Sequence, residues 1–289
     1  MQDRYSSPPS VVVGIDGSRS AVDAALWAVD EAVSRDIALR LVYAINPDRI
    51  AGADAHDMAR QLARADVAVR DAFTAVESTC KPVKIEVEIL QEPPTKALLQ
   101  ASREAALLCV GSIGLEHSAQ GRIGSTAAVL ASSARCPVAI IHGHDPFLAE
   151  QQWVVAEIDG SAASDGVIRF ALEEAQLRRA QLRVVVTSQS RFADIRDNHT
   201  VADGNRLTTA HLDRRLAQWI KRYPDLDVRR DVIHGSILNF VTKNADSIQL
   251  LVAGHERAEG IAALVGPPGY ATLHNASCSV LICEPQTVL

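Results

Sequence analysis

Apolar residues fall into two kinds of segment along this chain. One is a short, nearly continuous run, such as Val11-Val-Val-Gly-Ile15 or Ala106-Leu-Leu-Cys-Val110; the other is a longer stretch in which apolar positions recur at helical spacing. In the first half the pattern predicts strands over 11–16, 37–45, 83–90, 106–111 and 137–142. Between them it predicts helices over about 20–35, 54–79, 94–105 and 124–134. In the first helix Val22, Leu26, Val29 and Val33 form one apolar stripe, and Ser20 with Asp23 has the form of a capping box. Strands that alternate with helices imply βαβ units and a parallel sheet, whose strands are apolar because both faces are covered.

The order of segments then repeats. Val11-Val-Val-Gly-Ile-Asp-Gly-Ser18 returns as Val154-Val-Ala-Glu-Ile-Asp-Gly-Ser161, an offset of 143 that also relates Trp27 to Phe170 and Gly111 to Gly254. Cys136 and Cys278 stand 142 apart, so one residue is lost from a loop of the second half. Second-half strands follow at 153–158, 182–187, 227–234, 248–253 and 279–283. The chain reads as a tandem duplication, with domains over 1–145 and 146–289 and a polar linker from His142 to Gln152. Trp27 and Phe170 read as core residues.

Composition supports two ordinary α/β domains. The 289 residues are 47% hydrophobic but 4% aromatic, so the core must be built from Val, Leu, Ile and Ala. The formal charge is -6 and neither half is basic, which leaves nucleic-acid backbone binding without electrostatic support. No apolar run reaches the roughly 18 residues of a membrane span, and the opening residues lack a signal-peptide layout, so a cytoplasmic protein is expected. The five cysteines show no CxxC or Cys/His spacing and are expected to be reduced and mostly buried.

The chemistry signal lies just after the fourth strand. Gly111-Ser112-Ile-Gly114 is followed by nine residues and then by Gly124-Ser125-Thr126, which open an apolar helix. Glycines let the backbone N–H groups approach an anion, and a helix start adds unsatisfied N–H groups and the positive end of the dipole. Asp16 ends the first strand. In open α/β sheets the first and fourth strands commonly flank the switch point, which would set Asp16 and Gly111 across one crevice. Each has a plainer reading, Asp16 and Asp159 as helix caps and the glycines as turn residues. Arg122 either meets a phosphate or is a solvated loop cation. His234 and His255 fall at second-half strand ends near Asp159, but spacing fixes no third metal ligand.

This pattern resembles the tandem-domain, ATP-binding branch of the universal stress protein family. The resemblance is carried by the opening Val-Val-Gly-Ile-Asp-Gly-Ser, the signature Gly111-x2-Gly114-x9-Gly124-Ser125, and Cys136-Pro137-Val138 before the last strand. It implies two tandem, open, five-stranded parallel sheets of order 3-2-1-4-5 with helices on both faces. It implies ATP, with Mg²⁺, as ligand: Gly14, Asp16, Val42 and Tyr43 at the adenine and ribose, and Gly111, Ser112, Gly114, Gly124, Ser125 and Thr126 at the phosphates. It further implies a nucleotide-dependent regulator of a stress or growth response that acts on a protein partner and self-associates, a homodimer being the commonest closed assembly.

The sequence departs from the family pattern in two places. Gln91-Glu-Pro-Pro94 stands where a turn glycine is usual. In the second half Asp159, Gly254 and Gly266 survive, but the signature reads Gly254-His-Glu-Arg257 and then Gly266-Pro267, so a proline without an N–H replaces Ser125. The second crevice is therefore the weaker candidate. No GxxxxGK[ST] lysine and no Ser/His/Asp set is present, so little or no ATP hydrolysis is expected. A slow ATPase or nucleotidyl transferase of related fold and a non-binding scaffold are the alternatives.

Overall fold

A computed structural model describes residues 8–47, 55–114, 123–143, 152–159, 164–188, 210, 212–257 and 259–283. Arg122, most of the linker and residues 160–163 lie outside the described residues. By Cα proximity the chain divides into two compact units, Met1–His144 with Val265–Ala271, and Asp145–Leu264 with Thr272–Leu289.

In the first unit β1 (Ser10–Ile15), α1 (Arg19–Arg35), β2 (Ala38–Ala44), α2 (Ala55–Glu77) and β3 (Ile85–Leu90) follow one another. They are succeeded by α3 (Pro94–Ala101), β4 (Ala105–Gly111), α4 (Ser125–Ser133) and β5 (Val138–Ile141). The strands hydrogen-bond in the order β3-β2-β1-β4-β5, every pair parallel. The α1 and α2 helices pack together over β1, β2 and β4, while α3 and α4 pack against each other, as right-handed crossovers require.

The second half of the sequence repeats this plan with β6 (Trp153–Ile158), α5 (Ser164–Leu177) and β7 (Leu182–Ser188). After α6 (212–220) come β8 (Val228–His234), α7 (Ile237–Lys243), β9 (Ile248–Gly254), α8 (Ile261–Val265), α9 (Pro267–Asn275) and β10 (Ser279–Cys283). Its strand order is β8-β7-β6-β9-β10. The duplication reaches the register: Gly14 pairs with Val42 and Glu157 with Val185, and the bulge at Ser10/Val11 recurs at Trp153/Val154.

Local details differ from the pattern-based expectations for physical reasons. The α1 helix begins one residue earlier than predicted, and its cap is Ser18, whose hydroxyl accepts from the Ala21 N–H at 3.1 Å. Ser20 and Asp23 form no box; Asp23 pairs instead with Arg19. The face of α1 that enters the core is Ala21, Ala24, Ala25, Ala28 and Ala32 with Trp27 and Val29, while Val22, Leu26 and Val33 are only half-buried. Small side chains let the helix axis approach the sheet closely, which a row of larger residues would prevent. The α3 helix stops at Ala101 rather than near 105, its end tightening into bonds from the Arg103 N–H to the Gln100 carbonyl and from the Glu104 N–H to the Ala101 carbonyl; the buried Ser102 hydroxyl accepts from the Arg135 N–H and donates to the Leu99 carbonyl. Trp27 is core, but Phe170 is half-buried beneath the Arg169 guanidinium, 4.4 Å from its ring centre.

Candidate functional site

Strand β1 lies between β2 and β4, and the chain leaves β1 toward α1 but leaves β4 toward α4. The backbone therefore parts above the C-terminal ends of β1 and β4, where an open α/β sheet forms its ligand crevice. Asp16 stands at this point. Its Oδ1 accepts from the Ser18 N–H at 2.9 Å, across a turn made by Gly17 with φ +85. Gly17 was not among the residues singled out from sequence. Its signal was the Asp-Gly-Ser tripeptide, since a left-handed turn residue before a serine cap favours glycine.

The glycines of the signature are required for different reasons. A Cβ on Gly114 would stand 2.8 Å from Asp16 Oδ2, so Gly114 lies directly against the carboxylate and admits no side chain without displacing it. A Cβ on Gly111 would stand 2.6 Å from the backbone carbonyl carbon of Ser20, so this glycine permits β4 to pack on the first turn of α1. Gly14 is likewise a packing position, where a Cβ would meet Leu98 Cδ1 at 2.9 Å. Gly124 is roomier: the nearest atom to its Cβ would be the Gly114 nitrogen at 3.6 Å.

Ser112 pins both ends of the loop. Its N–H donates to the Ile141 carbonyl and its carbonyl accepts from the Gly124 N–H, each at 2.9 Å. Its side chain is buried, so it serves through its backbone. Gly124 is the N-cap of α4 with φ -58 and ψ 141 and offers no side-chain cap, while Ser125 is exposed and Thr126 half-exposed. The first N–H groups of a helix have no intrahelical acceptor, so this start presents donors and the positive end of a dipole to the crevice. Val42 is 1% exposed, so its side chain belongs to the core and only its main chain remains for a ligand; Tyr43, next in β2, is half-buried.

The second unit is built differently at the same place. Asp159 is exposed after β6, and its Oδ1 accepts from Ser164 Oγ at 2.9 Å. Gly254 ends β9, and the His255 N–H donates to the Cys283 carbonyl as Ser112 does to Ile141. The stretch 265–271 falls with the first unit; there Gly266 precedes α9, its carbonyl accepting from the Tyr270 N–H, and Pro267 and Pro268 follow and supply no N–H. Where Gly14 and Gly114 stand in the first unit, the second has Glu157 and Arg257, joined by two hydrogen bonds of 2.7 and 2.8 Å. Burial raises the Glu157 carboxyl above its ordinary range, against the downward pull of Arg257. Burial also opposes the Arg257 charge, but the bonds and charge of Glu157, with Glu259, more than offset it. Both residues were visible in the repeat. The readable signal was that two glycines at one offset give way together to opposite charges.

His234 ends β8 and His255 follows β9. Among the described residues no group of three metal-capable side chains forms, and no helix is long and apolar enough to cross a membrane.

Comparison with known proteins agrees with this architecture. The model of the universal stress protein family matches twice, over residues 9–142 and 153–284. A universal stress protein of Mycobacterium tuberculosis is 48% identical over 280 residues, covering 96% of this chain and 97% of the relative. A second one from that organism is 47% identical over 267 residues, 91% of this chain and 94% of the relative. Among solved structures, a universal stress protein from Archaeoglobus fulgidus superposes with a TM-score of 0.68 over 96% of both chains; at 14% identity the likeness is one of fold.

Proposed function

The chain belongs to the universal stress protein family and carries its domain twice, and from that premise we propose that the first half binds ATP, with Mg²⁺, as a nucleotide-dependent regulator of a stress or growth response. The observation that carries the reading is the bare cradle: Gly114 against Asp16, closed by the Ser112–Gly124 hydrogen bond and facing a helix start without a side-chain cap. Polyphosphate suits such donors, and the Asp16 carboxylate can accept from the hydroxyls of a ribose or the amine of a base. Mg²⁺ would accompany the triphosphate, held chiefly by its oxygens.

The residues that bind are not equipped for fast chemistry. No P-loop lysine or paired general base stands in the signature, so the bound nucleotide serves as a signal rather than a substrate. The same reading takes the protein as cytoplasmic and self-associating, a homodimer whose nucleotide state a protein partner senses.

Titration calorimetry with Mg-ATP tests it. The parent chain is expected to bind, Gly124→Ala to retain affinity because its Cβ meets only ordinary contacts, and Gly114→Val to lose affinity by more than about tenfold, or ~1.4 kcal/mol. Equal affinity in parent and Gly114→Val would place the ligand elsewhere.

A further inference from the structure

The duplication supplies an internal control for the crevice. Gly114 leaves the first one without a side chain beside Asp16, and Gly14 packs beneath Leu98; 143 residues on, these positions carry Arg257 and Glu157. Arg257 Nε donates to Glu157 Oε2 and Nη2 to Glu157 Oε1, while Nη1 donates to the Gly260 carbonyl at 2.8 Å and Nη2 also reaches Glu259 Oε2 at 3.3 Å. The two side chains are 4% and 6% exposed. Glu259 is itself held by the hydroxyl of Ser236, the cap of α7. The loop that carries Arg257 is folded into two turns, from the Arg257 N–H to the Gly254 carbonyl and from the Gly260 N–H to the Arg257 carbonyl.

We propose that the Glu157–Arg257 pair is the second crevice's built-in occupant and excludes a nucleotide's phosphates from it, so that the chain takes one nucleotide rather than two. A phosphate entering there would meet the carboxylates of Glu157 and Glu259, which have no counterpart among the glycines of the first crevice, and like charges close to a buried group repel strongly. Arg257 cannot be turned to the phosphate in compensation, because doing so strands Glu157 as a buried charge without its partner. The Arg257 side chain thus occupies the position that Gly114 leaves bare in the first half, and Glu157 satisfies its charge.

The inference rests on the first half being the nucleotide site, and the experiment separates the two. Mg-ATP stoichiometry is measured by calorimetry for the parent and for Gly114→Val/Glu157→Gly/Arg257→Gly, which closes the first crevice and opens the second. One site in the parent and one in the opened chain supports both claims. No binding to the parent with binding to the opened chain keeps the exclusion and overturns the first-half reading. Two sites in the parent, or a folded opened chain that binds nothing, overturns the exclusion. Should the glycine pair fail to fold, judged by circular dichroism, Glu157→Ala/Arg257→Ala in the same background carries the test with the same outcomes.

Discussion

Replacing Arg257 by methionine removes the guanidinium while keeping much of its apolar volume, and leaves Glu157 buried with its charge uncompensated. Two charge-assisted hydrogen bonds of 2.7 and 2.8 Å disappear between side chains 4% and 6% exposed. At ~1.5–3 kcal/mol for each such bond, and with buried pairs costing ~3–5 kcal/mol when one partner is deleted, the loss should be ~3–5 kcal/mol. The sign of its pH dependence follows from the carboxyl. Burial already raises Glu157, and the bonds and charge of Arg257 are what hold it down. Without them the folded state keeps a proton that the unfolded chain, near an ordinary glutamate value of ~4.3, releases. A group raised in the folded state stabilises below the unfolded pKa and loses that contribution as pH rises through the folded one, so the deficit should be small in acid and full at neutral pH. Urea unfolding followed by circular dichroism between pH 4.5 and pH 7.5 measures both, and Glu157→Gln/Arg257→Met should recover much of the loss. A neutral-pH deficit below ~1 kcal/mol, or one that does not shrink with acid, would refute the picture of a desolvated, mutually dependent pair.

Other features yield simpler expectations. Gly111→Ala forces a Cβ to within 2.6 Å of the Ser20 backbone, so it should destabilise the first unit by ~1–3 kcal/mol even without nucleotide; an unchanged melting curve would show that β4 and α1 are less tightly apposed. Of the five cysteines only Cys80 is exposed, and burial pushes the Cys278 thiol up to about 12, so native protein at pH 8 should take one equivalent of iodoacetamide and unfolded protein five. Labelling of two or more sites in the native chain, mapped by peptide mass, would contradict the buried placement of the others.

The central strands were legible because they are buried on both faces and therefore apolar, unlike the charged β3 and β8, and because the strand order occurs twice: Val11–Ile15 and Val154–Ile158 each confirm the other. Helix faces were less so. The stripe of Val22, Leu26 and Val33 looked like the core side of α1, whereas the sheet selects the alanine face by closeness of approach, a distance that periodicity does not encode. At the crevice, Gly111, Gly114 and Gly124 were found as a set from spacing, but which of them faces Asp16, which faces Ser20 and which is roomy depends on neighbours far away in sequence. The Glu157–Arg257 pair shows the same limit: the residues are 100 positions apart, and only the fold shows that they meet.

The central claim is that the bare cradle of Asp16, Gly114 and the α4 start holds ATP. The most direct measurement is to denature the purified parent protein, identify any released nucleotide by mass spectrometry, and quantify it per chain beside the Gly114→Val variant. ATP in the parent at up to one equivalent, and none in the variant, is the predicted result. Release of no nucleotide from a parent chain that also fails to take up added Mg-ATP, or equal release from both proteins, would contradict it.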